Sequence, residues 1–292
     1  MPNIEEKGTN KYQLRRALRN EVTIGLFGTC GGSTWRDKFI ERYDEEGIEW
    51  FNPQKADWKP EDMELENVNL NEDDIILFPI TSETYGTGSL GETGFSLTSS
   101  IARAASSNKN QRVVFFIAPD VDEKLAEENP AAAKESRRAR KLVASKIKIN
   151  PVSNVYEVSS LEEMLEISLQ LYKMAVVEKE IRKTVSKVRE SERSEYQAEM
   201  FEIVNENEGF RNALFSLPDS KRSILLGSLD FMDYIMEHKD DARFMIALSK
   251  LPEDKLQILA KHPEKIEEIV DFELTHEEIM KAHGKEMGGM DR

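Results

Sequence analysis

One cysteine, Cys30, and four histidines, His238, His262, His276 and His283, are all that the 292 residues offer to thiol or imidazole chemistry. A single cysteine closes no intramolecular disulfide. All four histidines lie in the last quarter of the chain, far in sequence from Cys30. No tight cluster of His, Cys, Asp and Glu gives the ligand set of a zinc site, and no HExxH joins His276 to His283. Long apolar runs are missing too. No window approaches the roughly 18–20 consecutive apolar residues of a membrane span, and the N-terminal MPNIEEKGTNKYQLRRALRN has no apolar stretch behind its charges. The protein is therefore expected in the cytoplasm.

Basic charge is also scarce, with 40 Lys and Arg against 55 Asp and Glu, a formal net charge of −15. So acidic a molecule repels phosphate backbones and anionic lipid, which argues against duplex nucleic acid and membrane as partners. A small molecule or a protein remains open. Chemistry then falls to carboxylates, hydroxyls and backbone amides, and neither a metal nor another cofactor is expected.

What is present alternates by type. Short β-rich runs at Val22–Phe27, Ile48–Phe51, Ile75–Ile80, Arg112–Ala118 and Val155–Val158 are separated by helical patterns over Thr34–Glu45, Leu90–Ala105, Asp122–Ser145 and Ser160–Val177. That alternation predicts an α/β fold, a five-stranded parallel flavodoxin/Rossmann-like sheet with flanking helices. After Ser160 the pattern is helical throughout, with a capping box at Ser160 and Glu163 and one long helix over Leu161–Asn205. Leu217-Pro218-Asp219 and Leu251-Pro252-Glu253 each open a helical segment 34 residues apart, which resembles a helix-pair repeat, but a solenoid usually needs about three copies, and a small helical appendage is expected instead. The expected organisation is an N-terminal extension at 1–20, an α/β domain at 21–177 and a helical C-terminal region at 178–292. A helical region of that size is also expected to serve as an oligomerisation surface, making the protein a homo-oligomer.

In an open parallel sheet, ligands bind outside the carboxyl ends of the strands, and three loops there are unusual. Gly28-Thr29-Cys30-Gly31-Gly32-Ser33-Thr34-Trp35-Arg36 follows the first strand, with glycines that let backbone approach a ligand, a capping hydroxyl at Ser33 or Thr34, and a cation at Arg36. This suits a phosphate or a sugar hydroxyl, and equally an ordinary glycine-rich turn. The lysine of a Walker A loop is absent. Asn52-Pro53-Gln54 and Asp57-Trp58-Lys59-Pro60 follow the second strand, offering amides to a base edge and a Trp face for stacking, or simply punctuating a loop.

The third loop, Thr81 to Gly94, contains Gly86 to Gly91 in a GxGxxG pattern. Dinucleotide binding is set aside, since five residues separate Ile80 from Gly86 and no acidic residue follows at the expected distance. Glu92 is more telling. With a helix starting near Ser89, its carboxylate lies in the first turn, where the helix dipole favours the ionised form needed to attack an anomeric carbon. Ser89 and Glu92 also fit a simple capping box.

These segments, in their order and spacing, resemble the nucleoside 2-deoxyribosyltransferase superfamily, in a divergent branch. The matching stretches are Leu26-Phe27-Gly28-Thr29 with Ser33-Thr34-Trp35-Arg36, Phe51-Asn52-Pro53 with Asp57-Trp58, Asp74-Ile75-Ile76-Leu77, and Gly86 to Gly94, covering about residues 20 to 175. The resemblance implies N-glycosyl transfer or hydrolysis on 2′-deoxynucleosides or their 5′-monophosphates, through a deoxyribosyl-enzyme on Glu92. It places Asp74 near sugar and base, Asn52 where the family keeps an amide, and the Gly28–Ser33 loop along the deoxyribose. The expected site is therefore Glu92 and Asp74 for catalysis, with Gly28, Thr29, Gly31, Gly32, Ser33, Arg36, Asn52, Asp57, Trp58, Tyr85, Gly88 and Ser89 around the substrate. Two departures stand out. The aspartate that the family carries six residues before its nucleophile is here Gly86, for which Glu83 or Tyr85 would have to substitute, and the family's aromatic-rich first loop is missing. Glycines beside Arg36 are instead similar to the phosphate-binding loop of the related 2′-deoxynucleoside 5′-phosphate N-hydrolases. The alternative is a catalytically inactive module that binds a nucleotide-like ligand or a protein.

Overall fold

The computed structural model describes residues 22–55, 57, 59–94, 98, 111–149, 152–238 and 243–266. The chain divides into two units between Val176 and Val177. In the first, β1 (Thr23–Leu26), β2 (Glu49–Phe51), β3 (Ile75–Ile80), β4 (Arg112–Ile117) and β5 (Val155–Val158) form one sheet. Its order is β2-β1-β3-β4-β5 and every pairing is parallel.

The strands are apolar on both faces because both faces are covered. Ile75 and Leu77 of β3 join Ile24, Leu26, Trp35, Phe39, Tyr43 and Met164 in one core layer, while Ile76, Phe78 and Ile80 join Phe27, Phe115 and Ile147 in the other. This period-two division is the pleat read in side chains. Helix α1 (Trp35–Glu46) packs on the first layer and ends at Gly47, whose φ of 67° is the left-handed stop glycine supplies. Leu70 of α2 (Pro60–Glu72), Leu90 of α3 (described over 87–94) and Val143 of a later helix pack on the second layer.

Three helical expectations need correction. Between the second and third strands, where the sequence pattern marks no helix, Pro60–Glu72 is α2, the crossover from β2 to β3. Its apolar stripe is faint, yet Pro60 at the first position and Asp62, whose Oδ2 accepts from Lys59 N at 3.0 Å, are a start signal. The pattern over Asp122–Ser145 is two helices, α4 (Glu123–Glu128) and α5 (Pro130–Ile149). Pro130 has no N–H to continue α4, and Asn129 Oδ1 accepts from Ala132 N at 3.0 Å, capping α5. The run Leu161–Asn205 is also broken, into α6 (Leu161–Val185) and α7 (Arg193–Glu206). No proline or glycine marks that break. Turn bonds from Lys187 N to Thr184 O and Val188 N to Val185 O close the first helix, and Arg193 Nη2 donates to Ser186 O at 2.9 Å and Val188 O at 3.0 Å. Of the helix expected over Leu90–Ala105, most lies outside the described residues.

The second unit is helical among the described residues: α8 (Glu208–Ser216), α9 (Asp219–Leu226), α10 (Leu229–Glu237), α11 (Arg243–Lys250), α12 (Glu253–Leu259) and a 3-10 turn at Pro263–Lys265 follow α7. The 34-residue spacing is structural. Phe210 and Phe244, Leu214 and Leu248, Leu217 and Leu251, and Leu225 and Leu259 are each 34 apart, and all eight are buried. α8 packs on α11 and α9 on α12, with the Phe210 and Phe244 rings 6.4 Å apart. Two copies suffice because each covers the other's apolar face. No helix among the described residues is long and apolar enough to cross a membrane.

Candidate functional site

The strand order reverses between β1 and β3, and the crevice of such a fold opens outside their carboxyl ends. There the backbones are pinned together. Thr29 N donates to Pro79 O at 2.8 Å, and Thr29 Oγ1 both donates to Pro79 O at 3.1 Å and accepts from Thr81 N at 3.0 Å. The approach explains Gly28: its φ is +85°, and a Cβ there would fall 2.3 Å from Pro79 O. Gly31 and Gly32 follow with φ of +71° and +93°, exposed and with open space around them.

A carboxylate from the third loop closes the first. Glu83 accepts from Ser33 Oγ, from Thr81 Oγ1 at 3.0 Å and from Thr34 N at 3.4 Å. Neither expected hydroxyl caps α1: Thr34 occupies the cap position without a side-chain cap bond, and Ser33 donates to Glu83. Glu83 supplies the acceptor from 49 residues away, a distance over which no cap signal is legible.

Arg36 corrects a second expectation. It is buried, and its guanidinium donates to Leu26 O at 2.9 Å, Thr29 O at 2.6 Å, Phe27 O at 3.2 Å, Gln54 Oε1 at 3.2 Å and Cys30 Sγ at 3.4 Å. A guanidinium has five N–H groups. Four serve the end of β1 and the fifth serves Gln54 beyond β2, so none is left for a phosphate. Arg140 of α5, which no motif singles out, does the same for β3 and β4. It donates to Ser136 Oγ at 3.0 Å, Ile80 O at 3.1 Å, Ala118 O at 3.0 Å, Thr81 O at 2.9 Å and Thr84 O at 2.8 Å. Burial pulls both guanidinium pKa values down from the ordinary range; neighbouring Cys30 opposes this at Arg36, as do Asp120 and Asp122 at Arg140.

Arg140 also accounts for the missing aspartate. Gly86 has a φ of +65°, and a Cβ there would lie 2.9 Å from Ile80 Cγ2 and 3.3 Å from Arg140 Nη2. Tyr85 is no replacement, since its hydroxyl donates to Leu125 O at 2.9 Å and its carbonyl accepts from Ser136 Oγ.

Asp74 lies at the opening of β3, its Oδ2 accepting from Thr23 N at 3.0 Å. Six strand residues at about 3.3 Å each put it roughly 20 Å from the loop that follows Ile80. It lies at the amino end of the central strand, opposite the crevice. Asn52 Oδ1 accepts from Gln54 N at 2.9 Å, an Asx turn that presents Gln54 to Arg36. Asp57 is exposed and paired with Lys59 at 3.4 Å. Trp58 lies outside the described residues.

Helix α3 begins at residue 87, with Leu90 N donating to Gly86 O at 2.8 Å, two residues before the expected start. Ser89 is therefore no cap: it is buried inside the helix, its carbonyl accepting from Thr93 Oγ1 at 2.7 Å. Gly88 is exposed in the first turn. Glu92 is the sixth residue of α3, not one of its first turn, and its side chain reaches solvent. The surrounding protein still desolvates its carboxyl and, with the charge of Glu66 on α2 adding to the effect, holds it above the usual glutamate range. This reverses the expectation that the helix start favours ionisation, because Glu92 is beyond reach of the free amides. Glu66, half-buried, was not expected at the site.

Among the described residues no group of three or more His, Cys, Asp and Glu side chains is placed to hold a metal ion. Comparison with protein-family models, curated proteins and solved structures finds no match to this chain.

Proposed function

We propose that the protein is an N-glycosyl enzyme of the nucleoside 2-deoxyribosyltransferase type, acting on 2′-deoxynucleosides or their 5′-monophosphates with Glu92 as nucleophile. The observation that carries this reading is Glu92 itself: an accessible carboxyl on the helix after the central strand, its proton affinity raised by its surroundings and by a second carboxylate, Glu66. Attack on an anomeric carbon needs an ionised carboxylate, and departure of a base needs a proton. In the reaction a Glu92 oxygen bonds to C1′ as the C1′–N bond breaks, and the electron pair leaves with the base, which takes its proton from solvent. Water or a second base then attacks C1′ and releases Glu92, giving up its own proton to solvent. Gly31, Gly32 and the Ser33–Glu83 pair line the crevice beside β1 and orient sugar hydroxyls.

The test is incubation with each deoxynucleoside and deoxynucleoside 5′-monophosphate, with and without acceptor base, following base release or exchange. Glu92→Ala is expected to lower turnover by ~10³-fold or more, and full activity in that variant overturns the assignment. One observation favours the inactive module instead, namely that position 86 has no room for the family's aspartate. Ligand binding without turnover on any substrate selects that reading.

A further inference from the structure

Helix α5 is out of character with the rest of the chain. In a protein of net charge −15, its twenty residues carry seven Lys and Arg against one Glu. Arg140 is buried beneath the crevice, Arg137 pairs with Asp120 at 2.6 Å, and Lys148 pairs with Glu157 at 3.5 Å. Lys134, Arg138 and Lys141 are exposed, and none of the three is ion-paired among the described residues. Their spacing of four and three places them on one stripe, continued by Leu142, Ser145 and Ile149. Leu142 is 60% exposed and Ile149 71%, two of the four large hydrophobic side chains that the described surface leaves open. Like charges at such spacings destabilise a helix by itself, so the stripe is a local conflict of the sort that partner surfaces relieve.

The complementary pattern is on the same chain. Glu195, Glu199, Glu202 and Glu206 of α7 repeat the spacing of four, three and four, and with Glu208 they line a groove of about 650 Å³ whose floor includes Ala198 and Ile203. All five carboxylates are exposed, and none is ion-paired among the described residues. A polyanion is repelled by the charge of the whole molecule, whereas a second copy brings glutamates in the periodicity of the lysines and arginines. We infer that the exposed face of α5 is a docking surface for a second copy of this chain, whose α7 groove receives Lys134, Arg138, Lys141 and Leu142. The contact joins two unlike surfaces, so each copy offers one of each. Each guanidinium or ammonium lies between two carboxylates one turn apart, and Leu142 covers the apolar floor. The inference is independent of the catalytic reading, for no residue of either surface lies at the crevice.

Sedimentation velocity of the full chain across concentration and salt tests it. The expected result is a mass above the monomer at low salt, with the association constant falling at least ~10-fold between about 0.05 and 0.5 M NaCl as the charges are screened. Two variants sharpen the test: Lys134→Glu/Arg138→Glu/Lys141→Glu, which makes α5 acidic, and Glu195→Lys/Glu199→Lys/Glu202→Lys, which makes α7 basic. Each alone is expected to be monomeric, and their equimolar mixture is expected to associate, since the acidic α7 of the first meets the basic α5 of the second. Association in the mixture also shows that both variants are folded. A wild-type chain that is monomeric at every concentration overturns the inference, as does association that both variants retain, a mixture that stays monomeric, or binding of anionic vesicles or RNA through α5 by a chain that remains monomeric.

Discussion

The place that a Cβ would take on Gly86 lies 3.3 Å from Arg140 Nη2, so the guanidinium and a side chain at position 86 compete for one volume. Ile80 Cγ2, at 2.9 Å, closes the other side. Arg140 is held by five acceptors and has no room to withdraw. Gly86→Ala therefore meets strain from a left-handed φ, roughly 1–2 kcal/mol, together with overpacking of about 1–3 kcal/mol. A loss of about 2–5 kcal/mol in urea unfolding is expected, and a wild-type midpoint would remove the steric account.

The two buried arginines should be more costly to lose than any exposed cation. Removing Arg36 takes a donor from Leu26 O and Phe27 O, and removing Arg140 takes one from Ala118 O, Thr81 O and Thr84 O, while Thr29 O keeps Trp35 Nε1 and Ile80 O keeps Ala118 N; each buried group so orphaned costs about 1–3 kcal/mol. Arg36→Ala and Arg140→Ala are expected to lose at least about 3 kcal/mol each, with the lysine variants also destabilised because an ammonium lacks the planar fork. Thermal denaturation measures this; a shift no larger than that of Arg42→Ala, an exposed cation on α1, contradicts it.

In the proposed reaction Glu92 must be ionised to attack, and its pKa is raised by desolvation and then by Glu66. Activity should therefore rise with pH along an acid limb centred above the ordinary glutamate value of about 4.3. In Glu66→Gln the repelling charge is gone, and the limb should move to lower pH. A limb that stays in place in Glu66→Gln separates the two carboxyls functionally.

Tyr43 is fully buried, and its hydroxyl lies 2.5 Å from Ser168 Oγ, which donates to Leu165 O. Burial pushes the phenol pKa well up, only partly offset by Ser168. An acid whose folded pKa is raised is stabilised as the neutral form, so its contribution is complete below the unfolded value of about 10 and is lost as pH rises beyond it. Tyr43→Phe is expected to cost about 1 kcal/mol at neutral pH and to flatten the decline of stability above pH ~10. An unchanged alkaline limb would assign that decline to other groups.

The strands were legible because a parallel sheet covered on both faces demands short continuous apolar runs, and Ile75–Ile80 is such a run to the residue. α2 was illegible because its core stripe is interrupted by Asn and Glu, leaving only Pro60 and Asp62 to announce it. The switch between α6 and α7 was illegible for another reason, since what ends the helix is a guanidinium, Arg193, that reaches back from the next one. At the site, the glycines Gly28 and Gly86 stood out at once, but what each makes room for, Pro79 in one case and Arg140 in the other, did not.

By itself, then, the sequence determined the parallel sheet and the helical second unit, because these follow from local periodicity, whereas the 34-residue spacing became a repeat only when burial paired its two copies. Only the tertiary structure decided which polar groups are free for chemistry. Ser33 looks available in a linear chain and is engaged by Glu83, 50 positions on, whereas Arg36 and Asn52 are taken up by nearer partners, the end of β1 and Gln54 N. Asp74 and Glu92 look like one catalytic pair, and the length of β3 sets them at different depths of the sheet. Hydrogen-bond acceptors and electrostatic fields act through space over a few ångströms, and residues 40 to 60 positions apart become neighbours only when the strands pair.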